Sequence, residues 1–159
     1  MMIRAAIIED SRLARLELKE QLKSFSQIEI IAEAGNAFDG QALIEEHRPD
    51  LIFLDINMPG RDGFEMLEQL SVLPTVIFTT AYDEYAIKVF EINAIDYLLK
   101  PVTPERLETA LNKVTEQFIR EHDHNVDIQM ELEQQFFIKE GENCYLVRHR
   151  RCATISIGW

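Results

Sequence analysis

Four short apolar runs in this 159-residue chain each stop at side chains capable of chemistry. IRAAII runs into Glu9 and Asp10, LIFL into Asp55, TVIFTT ends in Thr79 and Thr80, and AIDYLL runs into Lys100. An ionised carboxylate at the end of a buried run is costly to desolvate, so Asp55 needs a stabilising partner. If the runs end along one edge, three carboxylates converge there. Two unit charges about 4 Å apart repel by about 4 kcal/mol at an effective dielectric of about 20. A hard divalent cation offsets that repulsion, and Mg2+ typically takes one or two carboxylates while keeping several waters. Lys100 offers a second positive charge. Acids, a hydroxyl and a lysine around a metal suit phosphoryl transfer, in which positioning and charge neutralisation do most of the catalysis. A carboxylate can itself be the nucleophile and become an aspartyl phosphate. The pattern leaves open which of Thr79 and Thr80 supplies the hydroxyl.

Regular elements must bring these groups together. Ile3–Ile8 reads as a buried strand. A helix follows over 11–25, with Ser11 as its N-cap. Ile28–Ala34 alternates as a strand with one wetter face. Residues 38–47 read as a short helix that Gly40 weakens. Residues 51–54 form the next strand, 63–70 a helix, Thr75–Thr80 a strand introduced by Pro74, 83–93 a helix and 94–99 a last strand. The final helix, 103–118, has Pro104 near its start and Leu107, Leu111, Val114 and Phe118 at helical spacing. The order is βαβαβαβαβα, with strands recurring at the length of a right-handed βα unit. Near-continuous apolar strands suit a parallel sheet covered on both faces. The expected architecture is therefore a doubly wound α/β domain around a five-stranded parallel sheet. Such sheets carry their sites at the carboxyl ends of the strands, at the switch point of the strand order. In the flavodoxin-like order 2-1-3-4-5 that point lies between strands one and three, which brings Glu9 and Asp10 to Asp55.

The segments IIEDS, LIFLDINMPGRDG, TTAYDEYA and IDYLLKP, in this order and at this spacing, resemble the receiver domain of two-component response regulators. The resemblance covers residues 3 to 118. It implies that Asp55 accepts a phosphoryl group from a sensor histidine kinase. It implies Mg2+ held by Glu9, Asp10 and Asp55 with the backbone carbonyl of Asn57. It makes Thr80 the switch hydroxyl, Tyr97 the switch aromatic and Lys100 the partner of the phosphoryl group, ahead of a cis bond to Pro101. It also implies a homodimer through the face formed by the fourth helix, fifth strand and fifth helix, with no enzymatic turnover beyond self-phosphorylation and self-dephosphorylation. The wording FTTAYDEYAIKVFEINAIDYLLKPV is most similar to regulators carrying a LytTR-type DNA-binding domain, and FFIKEGENCYLV resembles the opening strands of that domain.

The remainder departs from that pattern. Residues 119–135 are polar and read as a frayed helix end and a linker. Residues 136–148 read as a hairpin turning at Gly141-Glu142-Asn143. The final stretch does not resemble the LytTR continuation. Residues 136–159 are thus expected to be a remnant of a truncated effector, a short C-terminal extension too small for an independent core, whether folded or disordered. DNA binding is expected only of a full-length parent. The formal net charge of −12 disfavours nucleic-acid phosphate or an anionic membrane as a partner of this chain. No apolar run approaches the roughly 20 residues needed to span a bilayer, and the N-terminus meets acids too early for a signal peptide, so a cytoplasmic protein is expected. Cys144 and Cys152 are then free thiols. His122 and His124 read as solvated linker residues. Two other function classes stay open. One is a Mg2+-dependent phosphohydrolase with an Asp nucleophile, although Asn57 stands where such enzymes need a second acid. The other is an unphosphorylated dimerisation scaffold.

Overall fold

The computed structural model describes the backbone of residues 1–85, 89, 94–132, 135–140, 143–148 and 151–157, and side chains within these as far as residue 123. The chain divides into two compact units, Met1–Val114 and Thr115–Trp159. The first holds β1 (Ile3–Ile8), α1 (Arg12–Leu22), β2 (Ile28–Ala34), α2 (Ala37–His47), β3 (Leu51–Asp55), α3 (Gly63–Glu68), β4 (Thr75–Thr80) and β5 (Asp96–Leu99). The helix α4 (Pro104–Leu132) begins in it. The five strands form one sheet in the order β2-β1-β3-β4-β5, and every neighbouring pair is parallel. Among the described residues no helix is long and apolar enough to cross a membrane.

The strands are apolar on both sides because both sides are covered. Every residue of β3 is buried. Ala6, Ile8, Ile52, Leu54 and Phe78 pack in one cluster with Ala37 and Ile44 of α2 and Phe64, Met66 and Leu67 of α3. The alternate positions, Ala5, Ile7, Leu51, Phe53 and Ile77, are equally buried, as are Leu18 and Leu22 of α1 and Leu107, Leu111 and Val114 of α4. Gly40, a weak helix former, has a reason to stand in α2: a Cβ there would meet the Ile8 side chain at 2.8 Å. Its absence lets the helix lie close on β1, and that closeness offsets a propensity cost of about 1 kcal/mol.

Caps fix where the helices begin. Ser11 Oγ accepts from the Ala14 N–H at 3.3 Å and Asn36 Oδ1 from the Asp39 N–H at 2.8 Å. Asp62 and Glu65 form a reciprocal capping box at the start of α3. Most boundaries fall within a few residues of the sequence pattern, and two helices need comment. The helix α4 does not stop at Phe118 but continues to Leu132, through most of the stretch whose polarity marks it as linker. No Gly or Pro lies between Pro104 and Leu132 to end it. The pattern also puts a helix over 83–93. Asp83–Tyr85 form a 3-10 turn, and 86–88 and 90–93 lie outside the described residues.

In the second unit β6 (Gln135–Glu140) and β7 (Asn143–Arg148) pair antiparallel, as the hairpin pattern anticipates. A third strand, β8 (Arg151–Ile157), pairs with β7 and gives a sheet in the order β6-β7-β8. The β-branched Thr154, Ile155 and Ile157 are its strand signal.

Candidate functional site

Register builds the site. Ile8 pairs with Leu54, so the next residues, Glu9 and Asp55, emerge side by side at the carboxyl edge. Asp55 pairs with Thr79 and Thr80 with Leu99, which brings Lys100 to the same edge. The Lys100 N–H donates to the Thr80 carbonyl at 2.7 Å, and the Lys100–Pro101 peptide is cis. Gly63 holds α3 against this edge: a Cβ there would lie 2.6 Å from the Asp55 carbonyl oxygen. Glu9 and Asp55 are almost fully buried, at 4% and 3% exposure, whereas Asp10 is exposed.

One carboxylate oxygen from each of Glu9, Asp10 and Asp55 lies within 4.8 Å of the others. The Lys100 ammonium sits 2.6 Å from Glu9 Oε2 and 3.5 Å from Asp55 Oδ1. Backbone donors complete the pocket: the Ser11 N–H reaches Glu9 Oε1 at 3.1 Å and the Asn57 N–H reaches Asp55 Oδ1 at 3.3 Å. Arg15 of α1 donates to the Glu9 carbonyl at 2.5 Å, which steadies the loop between β1 and α1.

One lysine does not balance three acids in a site this dry. Burial, then the hydrogen bond to Asp10 and the negative charge of Glu9, push the Asp55 carboxyl up to about 8, against the opposing pull of Lys100. Burial pushes Asp10 upward too, but its hydrogen bonds to Asp55 and Glu9 and the charge of Lys100 outweigh that and hold it below its ordinary value. The two neighbouring carboxyls are thus driven in opposite directions, Asp55 up and Asp10 down. The donor set fits a hard divalent cation: carboxylate oxygens, close enough to share one ion, in an edge short of positive charge.

The two threonines part company. Thr79 lines a cavity of about 310 Å3 with Leu18, Gln21, Lys100 and Pro101. Thr80 is fully buried and its Oγ1 accepts from the Tyr82 N–H at 3.1 Å. Tyr97 pairs with Phe78 across β4 and β5 and packs, half-buried, against the core cluster. Its carbonyl accepts from Arg106 at 3.0 Å. The structure therefore brings Glu9, Asp10, Asp55 and Lys100 into contact, and sets Thr80 and Tyr97 on neighbouring strands. One polar contact at the rim has no signal in the sequence: Tyr85 donates its hydroxyl to Asn57 Oδ1 at 3.0 Å across 28 positions.

A five-stranded parallel sheet of order 2-1-3-4-5, with three acids and a lysine at its carboxyl edge, is a flavodoxin-like α/β domain. The family model for the response regulator receiver domain matches residues 5–112, and the chain belongs to that family. Among curated proteins it is similar to an uncharacterized response regulatory protein of Vibrio cholerae serotype O1, 47% identical over 123 residues, covering 76% of this chain and 50% of that protein. It is likewise similar to the transcriptional regulatory protein BtsR of Escherichia coli K12, 45% identical over 118 residues, covering 73% and 49%. The chain thus spans about half the length of the curated relatives it matches. Among solved structures it resembles the response regulatory domain of protein mrkE from Klebsiella pneumoniae, with a TM-score of 0.68 at 34% identity, covering 74% of this chain and 99% of that one. The REC domain of AraT from Geobacillus stearothermophilus gives a TM-score of 0.68 at 32% identity, covering 77% and 99%.

Proposed function

We propose that this receiver domain is switched by Mg2+-dependent phosphorylation of Asp55, with a sensor histidine kinase as donor. The observation that carries the reading is the Asp55 carboxyl held among Glu9, Asp10 and Lys100. Glu9, Asp10 and Asp55, with the backbone carbonyl of Asn57, would hold the cation. When bound, Mg2+ supplies charge neutralisation for the phosphoryl oxygens.

The chain's own residues do the rest. Asp55 must be ionised to attack, and a cation held by Glu9, Asp10 and Asp55 would favour that form. An Asp55 oxygen attacks phosphorus in line. The new O–P bond forms as the P–N bond to the donor imidazole breaks, and the imidazole leaves with the electron pair. The product carries about two negative charges where there was one. Lys100 then turns from Glu9 to the phosphoryl oxygens. Thr80 exchanges the Tyr82 amide for the same group, and Tyr97 turns into the space Thr80 leaves. The face comprising the segment 83–93, β5 and α4 changes shape and favours a homodimer. Moving such an equilibrium from mostly inactive to mostly active takes about 5.5 kcal/mol of differential stabilisation. A hydroxyl hydrogen bond and an ion pair approach that in a dry site.

Residues 1–118 would be the receiver, 119–135 a linker and 136–159 part of a LytTR-type effector, the kind of domain that acts on DNA. The test uses Asp55→Asn with acetyl phosphate and Mg2+, read by intact mass. The wild-type chain gains one phosphoryl group and the variant gains none. A variant that still gains the group sinks the assignment of Asp55.

A further inference from the structure

We propose that Tyr85 is a positioning residue for the phosphoryl chemistry, acting through Asn57 as a bar across the mouth of the site. The inference rests on Asp55 being the phosphoacceptor. Asn57 stands on the loop after β3, with its N–H on Asp55 Oδ1. Tyr85 stands in the turn after β4 and donates its hydroxyl to the Asn57 side chain at 3.0 Å. The bond therefore joins the two loops that follow the strands carrying Asp55 and Thr80.

The Tyr85 ring is fixed independently of that bond. It packs against Phe64 at 5.9 Å between centroids, and Phe64 packs against Phe78 of β4 at 5.1 Å. Tyr82 meets its edge at 6.5 Å, and the Tyr82 amide is the donor that occupies Thr80 Oγ1. A circuit results: Asp55, Asn57, Tyr85, Tyr82, Thr80. Asn57 is itself exposed, and among the described residues Tyr85 is the hydrogen-bond partner of its side chain.

In-line chemistry gives this bar a defined effect. The donor's leaving group departs opposite the Asp55 oxygen, and hydrolysing water enters from that same side. Hydrolysis breaks the P–O bond to Asp55, forms a bond from phosphorus to the water oxygen, and returns the electron pair to the carboxylate. A bar over that approach slows both steps by a similar factor. It lengthens the life of the acyl phosphate without changing how much accumulates from a small donor.

The experiment measures two rates on the full chain with acetyl phosphate and Mg2+: gain of the phosphoryl group, and its loss after the donor is removed. Tyr85→Phe keeps the ring and removes the hydroxyl. Both rates should rise about fivefold, the kinetic equivalent of losing one hydrogen bond of about 1 kcal/mol. Asn57→Ala should do the same, and the double variant should do no more than either. In the metal-free protein, Tyr85→Phe should also shift the Asn57 side-chain amide resonances. If only one rate changes, if both stay the same or fall, if the two substitutions multiply, or if the Asn57 amide does not move, the bar is not there. Failure of the wild-type chain to take up phosphoryl at all would instead overturn the phosphoacceptor reading.

Discussion

Two aspartates of the first unit invite comparison. Asp55 ends β3 and Asp96 begins β5, with side chains 4% and 7% exposed. Burial raises both carboxyls, yet they end on opposite sides of the ordinary value. Asp96 accepts from Arg106 Nη1 at 2.8 Å, Arg106 Nη2 at 2.6 Å, Lys113 Nζ at 3.0 Å and the Tyr97 N–H at 2.8 Å. Those bonds outweigh its desolvation and hold it below the usual carboxylate range. Asp55 faces two acids and a single lysine, 3.5 Å away, and is pushed up to about 8. What sends the two carboxyls in opposite directions is the positive charge around each, ample at Asp96 and short at Asp55.

The sharpest way to break this comparison is to neutralise each acid in turn. Asp96→Asn leaves two cations facing an amide and removes a bidentate ion pair. Breaking a buried pair costs about 3–5 kcal/mol, and the 38% and 50% exposure of Arg106 and Lys113 brings the expectation down to about 2 kcal/mol. Asp55→Asn relieves repulsion and should leave the metal-free protein as stable as before or more so. Urea titrations of both variants at pH 7.5 decide it. Equal losses at the two sites would erase the distinction.

A second test uses pH and no substitution at Asp96. The Asp55 carboxyl titrates near 8 in the fold against 3.8 for its ordinary value. The folded chain then binds a proton that the unfolded chain has released. Stability of the metal-free protein should fall as pH rises from about 4 to about 8. Asp96 is shifted the other way, so its contribution is present above its ordinary value of 3.8 and is lost as pH falls through its lower value in the fold. Thermal melts between pH 5 and 9 should show a falling Tm that Mg2+ flattens, because the cation replaces the proton, and that Asp55→Asn abolishes. A profile in which Mg2+ changes nothing would mean that Asp55 is not part of the cation site.

How far the residues announce this arrangement depends on range. Glu9, Asp10, Asp55 and Lys100 are readable because each ends an apolar run, and the topology of a doubly wound sheet then gathers strand ends. The sheet order enters differently: 2-1-3-4-5 comes with the flavodoxin-like fold type and is the order found. Asp96 is not readable: it lies inside a run that reads only as a strand, and its partners lie 10 and 17 positions on, in a helix whose rotation no pattern specifies. The contact from Tyr85 to Asn57 depends on where two loops fall, which is a tertiary outcome. The end of α4 is invisible to a reading that equates polarity with linker, since an unbroken run of helix-tolerant residues can stay helical in water. The capping box has a plain signal in the spacing of Asp62 and Glu65, three positions apart ahead of an apolar run.

The smallest expected effect sharpens the comparison within the satisfied site itself. Arg106 and Lys113 both reach Asp96, but not equivalently. Arg106 presents a planar fork to both carboxylate oxygens and to the Tyr97 carbonyl, whereas Lys113 makes one contact from a half-exposed side chain. Exposed pairs contribute about 0.2–1 kcal/mol and are screened by salt. Lys113→Met keeps the apolar stem against the helix and should cost about 0.5 kcal/mol, a Tm shift of about 2 °C at low salt that shrinks at 0.5 M salt. Arg106→Met should cost several times more and keep most of its effect in salt, because its pair is the one that desolvation requires. If the two substitutions cost the same, Asp96 is held by diffuse charge and not by a built fork. The contrast with Asp55 would then be one of net charge alone.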